Sequence, residues 1–164
     1  MNYNIIDNFL DKENFLQIKY LLEHPEFNWF YKKYMAGEKD PPYFSHGFFN
    51  HSEKMSPSFK IIQPLLDKLK YIALIQVRAN LTLKTDQPIE TAWHTDYNYF
   101  NGKTAIYYLT TCNGFTVLDK EEKIKVNSIE NRVVIFNNNI SHKSVTHTDT
   151  KRRIILNINY FDEQ

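Results

Sequence analysis

The chain is 164 residues long, with a formal net charge of +1 and a single cysteine, Cys112. This length is sufficient for one domain with its own core and short for two, so we expect a single domain over residues 1–164. Because positive and negative residues are nearly balanced, bulk electrostatics provides no attraction for nucleic acid or an anionic membrane. A lone cysteine excludes an internal disulfide and a zinc site built from cysteines.

No feature of the sequence indicates a membrane or secretory destination. The first residues lack the basic segment and the following apolar segment of a signal peptide. No uninterrupted apolar run approaches the roughly 20 residues that a helix needs to cross a bilayer. We therefore expect a soluble, cytoplasmic protein.

Residues 1–71 are expected to supply supporting helices. Asp11 is suited to cap a first helix, which contains apolar residues at helical spacing and ends at Pro25. Those apolar residues are Phe15, Ile18 and Leu22. Ser56 and Pro57 fit the N-cap and the first position of a second helix.

Residues 36–57 precede the second predicted helix and are rich in glycine, proline, serine and histidine. This composition predicts a long loop, and a loop of this length in a single domain is often a lid or a binding element. Pro64 lies inside the second helical segment, so we expect that helix to be kinked or to start late.

From residue 72 onwards the pattern changes to strands. Short segments rich in β-branched and aromatic residues are bounded by asparagine, aspartate or glycine. They are 72–83, 103–110, 115–119, 124–128, 132–136 and 152–161. Helices followed by many strands predict an α+β fold, in which residues 72–164 form an antiparallel sandwich or jelly roll and the helices cover one face.

The final predicted strand has two chemically different faces. Successive side chains of a strand point to opposite sides. One face carries Ile154, Leu156, Ile158 and Tyr160, and the other carries Arg153, Ile155, Asn157 and Asn159. The first face is suited to packing against helices, and the second to lining a ligand cavity.

Three residues outside this strand have the side chains of a metal site. His94 and Asp96 lie at positions i and i+2 of an extended segment, where side chains point the same way. His142 follows an apolar strand and an asparagine turn. Two imidazoles and one carboxylate form the set that holds non-haem Fe(II) on one face. Surface positions are the alternative, and His147 competes with His142; we prefer His142 because His147 leaves no strand between itself and Arg153.

Arg153 is predicted to face inward, because Arg152 shares its face with Ile154 and Leu156. Burying a guanidinium without a counter-ion is costly, and no acidic residue follows on this strand before Asp162. A bound dicarboxylate would complete the pair with two parallel hydrogen bonds. The alternative is a surface Arg153 with Arg152 turned inward.

The ordered set of His94, Asp96, His142 and Arg153 resembles that of the 2-oxoglutarate- and Fe(II)-dependent dioxygenases, most closely their prolyl-hydroxylase-like branch. The similarity extends along nearly the whole chain. The further segments that carry it are 5–10, 105–110, 114–116, 131–136 and 153–157.

The resemblance implies a double-stranded β-helix, a form of jelly roll, with N-terminal supporting helices. It implies that His94, Asp96 and His142 bind Fe(II), and that 2-oxoglutarate and O₂ are cosubstrates. The implied reaction hydroxylates a C–H bond, for instance of a prolyl residue, and yields succinate and CO₂. A peptide or protein is the favoured substrate, and its identity stays open.

The same resemblance assigns further residues around the cosubstrate. The far carboxylate of 2-oxoglutarate would pair with Arg153 and contact the Tyr108 hydroxyl, and Asn80 or Thr82 would line the site. Trp93 and Tyr97 flank the metal motif and would form a wall for the substrate, with core packing as the alternative.

Two positions depart from the family pattern. Ile155 stands two residues after the arginine, where the family often has serine or threonine, and Asn113-Gly114 replaces a Gly-Gly pair. The lost hydroxyl is expected to reduce the affinity for 2-oxoglutarate. The departures support one alternative function, a non-catalytic jelly-roll binding module. A cupin-like metalloprotein that uses another metal and no cosubstrate is a second alternative.

Overall fold

Strands account for most of the regular structure. The computed structural model describes residues 3–162. Its helices are α1 (Lys12–Glu23) and α2 (Phe59–Leu69). Its strands are β1 (Tyr3–Ile6), β2 (Phe30–Lys32), β3 (Tyr43–Asn50), β4 (Glu53–Lys54), β5 (Tyr71–Leu83), β6 (Gly102–Tyr108), β7 (Phe115–Leu118), β8 (Ile124–Asn127), β9 (Arg132–Asn137), β10 (His142–Val145) and β11 (Arg152–Asp162). Within residues 3–162, neither helix has the length and apolar character needed to cross a membrane.

Helix α1 begins and ends as predicted. The Asp11 carboxylate accepts the backbone N–H of Asn14 at 3.0 Å, which satisfies one of the donors left free in the first turn of a helix. The helix ends at Glu23, two residues before Pro25. Its buried residues are Phe15, Ile18 and Leu22.

Helix α2 begins later than Ser56 and Pro57 predicted, because its N-cap is Ser58. The Ser56 hydroxyl instead lies 2.9 Å from His46 Nε2 and accepts the backbone N–H of Ser58 at 3.2 Å. This hydroxyl therefore fastens the preceding loop to the sheet instead of capping the helix. The helix starts at Phe59, and Pro64 lies inside it.

The strands form two antiparallel sheets, in agreement with the predicted α+β jelly roll. The order of the larger sheet is β1-β9-β6-β11-β5-β3-β2, with β4 paired to β3. The smaller sheet has the order β10-β7-β8. Most paired strands are not consecutive in sequence, so the sheets bring together residues from distant parts of the chain.

The N-terminal part contributes strands as well as helices. The prediction of a continuous loop over residues 36–57 is wrong, because β3 and β4 lie inside this range. Residues from Phe44 to Asn50 pair with β5, and this pairing satisfies their backbone groups whatever the local composition. Of the described chain, residues 3–70 therefore supply four strands besides the helices. The loop that remains between β2 and β3 covers residues 33–42.

One face of the larger sheet packs against both helices, as the pattern of β11 predicted. Its residues Ile154, Leu156, Ile158 and Tyr160 are buried in one apolar cluster with side chains of α1 and α2. The opposite face turns towards the smaller sheet. There Arg153, Ile155 and Asn157 line a cavity between the two sheets.

Candidate active site

Backbone pairing brings the two predicted histidine ligands together. The segment before Asp96 runs beside β10, and His94 donates its backbone N–H to the carbonyl of His142 at 3.0 Å, while His142 donates to His94 at 2.8 Å. The ring centroids are 4.4 Å apart. His147, the competing residue, is fully buried and does not belong to the cluster.

Asp96 completes the cluster. One carboxylate oxygen lies 3.9 Å from His94 Nε2, and the other lies 3.9 Å from His142 Nε2. The candidate ligand atoms of the three residues all lie within 4.8 Å of one another. The i, i+2 spacing and the cross-strand pairing together thus produce the arrangement of two imidazoles and one carboxylate that one metal ion requires.

The two imidazoles are oriented by backbone carbonyls. His94 Nδ1 lies 3.3 Å from the carbonyl oxygen of Ala92, and His142 Nδ1 lies 3.4 Å from that of Ile140. Because a carbonyl can only accept, Nδ1 carries the proton and Nε2 is free to bind a metal. Burial lowers the pKa of His142 to about 4, so this ring is neutral at pH 7.

The Asp96 carboxylate is held from two sides. Arg78 Nη2 donates to one oxygen at 3.1 Å, and Asn157 Nδ2 donates to the other at 2.8 Å. Asn159 donates to the Asn157 side-chain oxygen at 2.7 Å, and Thr104 donates to that of Asn159 at 2.7 Å. Burial acts to raise the pKa of the Asp96 carboxyl, but His142, the Arg78 guanidinium and the Asn157 amide act against it, and the pKa lies below its usual value.

Sequence reasoning did not identify these partners of Asp96. The inward face of β11 was a signal for Asn157 and Asn159, because polar side chains on a buried face need hydrogen-bond partners. Nothing local indicated Arg78, which reaches Asp96 from β5.

Arg153 is buried, with only 4% of its surface exposed, and hydroxyl groups surround it. Its Nε donates to Ser128 Oγ at 3.2 Å, its Nη1 to Ser144 Oγ at 2.8 Å and its Nη2 to Thr116 Oγ1 at 3.3 Å. No carboxylate of residues 3–162 forms an ion pair with this guanidinium. The neighbouring Arg152 is exposed, so the alternation of β11 is the predicted one.

Tyr108 lies beside this arginine, and Asn80 lines the same cavity. The Tyr108 hydroxyl donates to Thr116 Oγ1 at 2.8 Å, and Arg153 Cζ lies 5.6 Å from the centre of the tyrosine ring. Burial raises the pKa of Tyr108, so its hydroxyl stays protonated. Asn80 lines the cavity itself and accepts the Ser45 hydroxyl at 3.1 Å.

The cavity between the sheets has a volume of about 70 Å³. Its walls include His94, His142 and Arg153. A larger open cleft of about 480 Å³ adjoins it, and Tyr43 and Arg78 border both spaces. The candidate metal ligands therefore lie between a small interior space and a surface cleft.

Trp93 and Tyr97 are predicted to form a wall for the substrate. In the structure they line neither the cavity nor the cleft. The Trp93 ring lies beneath the Lys143 ammonium, with Nζ 4.7 Å from the ring centroid. Tyr97 stacks on Tyr99 at 5.4 Å between centroids. Both are half-buried against neighbouring side chains.

No family model and no curated protein sequence matches the chain, but solved structures do. An oxidoreductase of the 2OG-Fe(II) oxygenase family from Burkholderia pseudomallei matches 96% of this chain and 84% of its own, with a TM-score of 0.75 and 11% identity. The match to the α-ketoglutarate-dependent carbocyclase SnoK from nogalamycin biosynthesis covers 98% of this chain and 79% of the SnoK chain, with a TM-score of 0.71 and 12% identity. The match to a Trichoplax adhaerens prolyl hydroxylase, in complex with a hypoxia inducible factor peptide fragment, covers 98% of this chain and 83% of the hydroxylase chain. Its TM-score is 0.66 and the identity is 17%.

Structural similarities at 11–17% sequence identity establish the fold. They extend over nearly the whole chain, and the matched proteins include a carbocyclase and a prolyl hydroxylase. The predicted double-stranded β-helix is thereby confirmed. The protein has the fold of the 2OG-Fe(II) oxygenases.

Proposed function

We propose that the protein is a 2-oxoglutarate-dependent, non-haem Fe(II) oxygenase that hydroxylates a C–H bond. One observation carries the proposal. Beside a single cavity lie the cluster of His94, Asp96 and His142 and the buried Arg153, which is without a carboxylate partner among residues 3–162. The cluster is suited to a metal, and the arginine is suited to the far end of an acidic cosubstrate. The fold shared with oxygenases supports the same function.

The donor set fits Fe(II). Two imidazoles and one carboxylate are the ligands that hold this ion on one face and leave the opposite positions open. The Nδ1 contacts of His94 and His142 leave both Nε2 atoms available. Since His142 is already neutral, no proton has to leave this ring before a metal binds.

The guanidinium of Arg153 fits the far carboxylate of 2-oxoglutarate. Its planar fork can donate two parallel hydrogen bonds to a carboxylate. In a buried cavity such a pair is stronger than in water. A bound dicarboxylate would also supply the negative charge that this buried cation otherwise lacks.

In this proposal the side chains of the site bind and orient the metal and the cosubstrate, and they exclude water. Fe(II) and 2-oxoglutarate, when bound, supply the activation of O₂ for hydroxylation, with succinate and CO₂ as coproducts. Arg78 and Asn157 hold the Asp96 carboxylate in one orientation. Arg153 would hold the far carboxylate of the cosubstrate in the cavity that His94 and His142 also line. Ile155 forms an apolar wall of the cavity, which limits the access of water.

We propose a peptide or protein substrate, with a prolyl residue as the first candidate. The cleft that adjoins the cavity at Tyr43 and Arg78 has room for a chain that continues beyond the reacting carbon. The exposed side chains of Phe30, Lys32 and Met55 border it. This mixture of apolar and polar groups suits an extended peptide.

The first test is anaerobic absorption spectroscopy. Fe(II) and 2-oxoglutarate are added together to the purified protein, and a weak visible charge-transfer band is expected. His94→Ala should abolish the band, because one ligand is lost. His51→Ala is the matched control, since His51 is exposed and lies outside the cluster.

A folded wild-type protein without this band would refute the proposed function. The same holds if His94→Ala and His51→Ala give the spectrum of the wild type. Once the band is observed, formation of succinate with candidate prolyl peptides under air tests turnover and separates an enzyme from a non-catalytic binding module.

A further inference from the structure

The hydroxyl groups around Arg153 differ in whether their protons are already donated in a hydrogen bond. A hydroxyl has one proton to donate and two lone pairs to accept. Ser128 Oγ accepts from Arg153 Nε at 3.2 Å and donates its own proton to the carbonyl of Thr110 at 2.8 Å. Ser128 therefore has no proton left to donate to a ligand, and it does not line the cavity.

Ser144 and Thr116 are in the opposite situation. Ser144 Oγ accepts from Arg153 Nη1 at 2.8 Å. Thr116 Oγ1 accepts twice, from Arg153 Nη2 at 3.3 Å and from the Tyr108 hydroxyl at 2.8 Å. Among residues 3–162, no acceptor receives the proton of either hydroxyl, and both residues line the cavity.

The end of the cavity at Arg153 therefore combines one buried cation with two free O–H donors. Thr116 is buried and Ser144 is half-buried. A donor that is withdrawn from water without an acceptor costs free energy, so this end favours a ligand with several acceptor oxygens and a negative charge. The neighbouring wall residue, Ile155, has no polar group to contribute.

On the basis of the proposed function, we infer that Ser144 donates a hydrogen bond to the far carboxylate of 2-oxoglutarate, with Thr116 as a second donor. The hydroxyl that Ile155 lacks on β11 is then supplied from β10 and β7. Tyr108 acts through Thr116, because its own proton is engaged there. The expected loss of cosubstrate affinity from Ile155 is offset by these two residues.

The test is a calorimetric titration of 2-oxoglutarate into the Mn(II)-loaded protein, compared among Ser144→Ala, Ser144→Thr and the wild type. Loss of one hydrogen bond to a charged group should raise the Kd of Ser144→Ala about tenfold. Ser144→Thr keeps the hydroxyl and should stay near the wild-type value. Ser52→Ala, at an exposed position, is the matched control.

A second ligand separates direct contact from a structural effect. 2-Oxopentanoate has the same chain length and keto acid end but lacks the far carboxylate, so its Kd should be equal in the wild type and Ser144→Ala. The inference is wrong if Ser144→Ala binds 2-oxoglutarate as the wild type does, or if both ligands weaken equally. A wild-type protein that binds no 2-oxoglutarate would instead refute the proposed function, and the inference with it.

Discussion

At the scale of single residues, Asp96 is the most constrained group of the candidate site. Its side chain is only 3% exposed, and a buried carboxylate is costly unless charges and hydrogen bonds compensate it. Arg78 supplies the charge, and Asn157 supplies the hydrogen bond on the other oxygen. The orientation of Asp96 towards the two imidazoles therefore depends on residues that are not ligands themselves.

Asn157→Ala is expected to weaken metal binding. Loss of the amide leaves one carboxylate oxygen without its donor, and removal of a partner that orients a ligand costs about 10- to 100-fold in metal affinity. A competition titration with Co(II) measures the change. Asn127→Ala, an exposed asparagine on β8, should leave the affinity as it is. Equal affinities for all three proteins would show that Asp96 needs no support from Asn157.

At the scale of elements, the loop of residues 33–42 is fastened next to the metal motif. Asp40 accepts the backbone N–H groups of Ala36, Gly37 and Ala92, each at 2.8 Å. A Cβ atom at Gly37 would lie only 2.9 Å from that of Ala92, so glycine permits this close approach. Met35 of the same loop lines the cavity. One carboxylate thus ties the loop to the segment that leads into His94.

Asp40→Ala is expected to release this loop without unfolding the domain. Hydrogen bonds to a charged acceptor are lost, so amide hydrogen exchange at Ala36, Gly37 and Ala92 should become at least about tenfold faster. Exchange in β11 should not change, because its pairing is independent of Asp40. Asp86→Ala provides an exposed aspartate as the control. Unchanged exchange at the three amides would contradict the role given to Asp40.

At the scale of the whole molecule, the N-terminal and C-terminal parts share one core. Phe9, Leu22 and Leu66 belong to the same apolar cluster as Val133 and Leu156. Strand β1 pairs with β9, and β3 pairs with β5. Neither part can bury its apolar face alone, so the chain is predicted to fold as one domain.

Unfolding is therefore expected to occur in one cooperative transition. Trp29 belongs to the N-terminal part and Trp93 to the C-terminal part, so each can report on its own region. In urea, the fluorescence midpoints of Trp29→Phe and Trp93→Phe should each coincide with the midpoint of that variant's far-UV circular dichroism. Two separate midpoints within either variant would show two independently folding units.

The sequence by itself determined the features that depend on local geometry. The i, i+2 spacing placed His94 and Asp96 on one side of an extended segment, and the alternation of β11 turned Arg153 inward. The N-cap Asp11 marked the start of α1. Each of these inferences needs only a few consecutive residues, because strand and helix geometry repeats over that distance.

Only the tertiary structure decided which distant residues meet. The pairing of His94 with His142, the support of Asp96 by Arg78, and the hydroxyls of Ser144 and Thr116 around the arginine all depend on the order of strands in the two sheets. Strand order and register follow from burial across the whole chain and not from local propensity. For the same reason β3 was missed, since its pairing with β5 outweighs a composition that is typical of a loop.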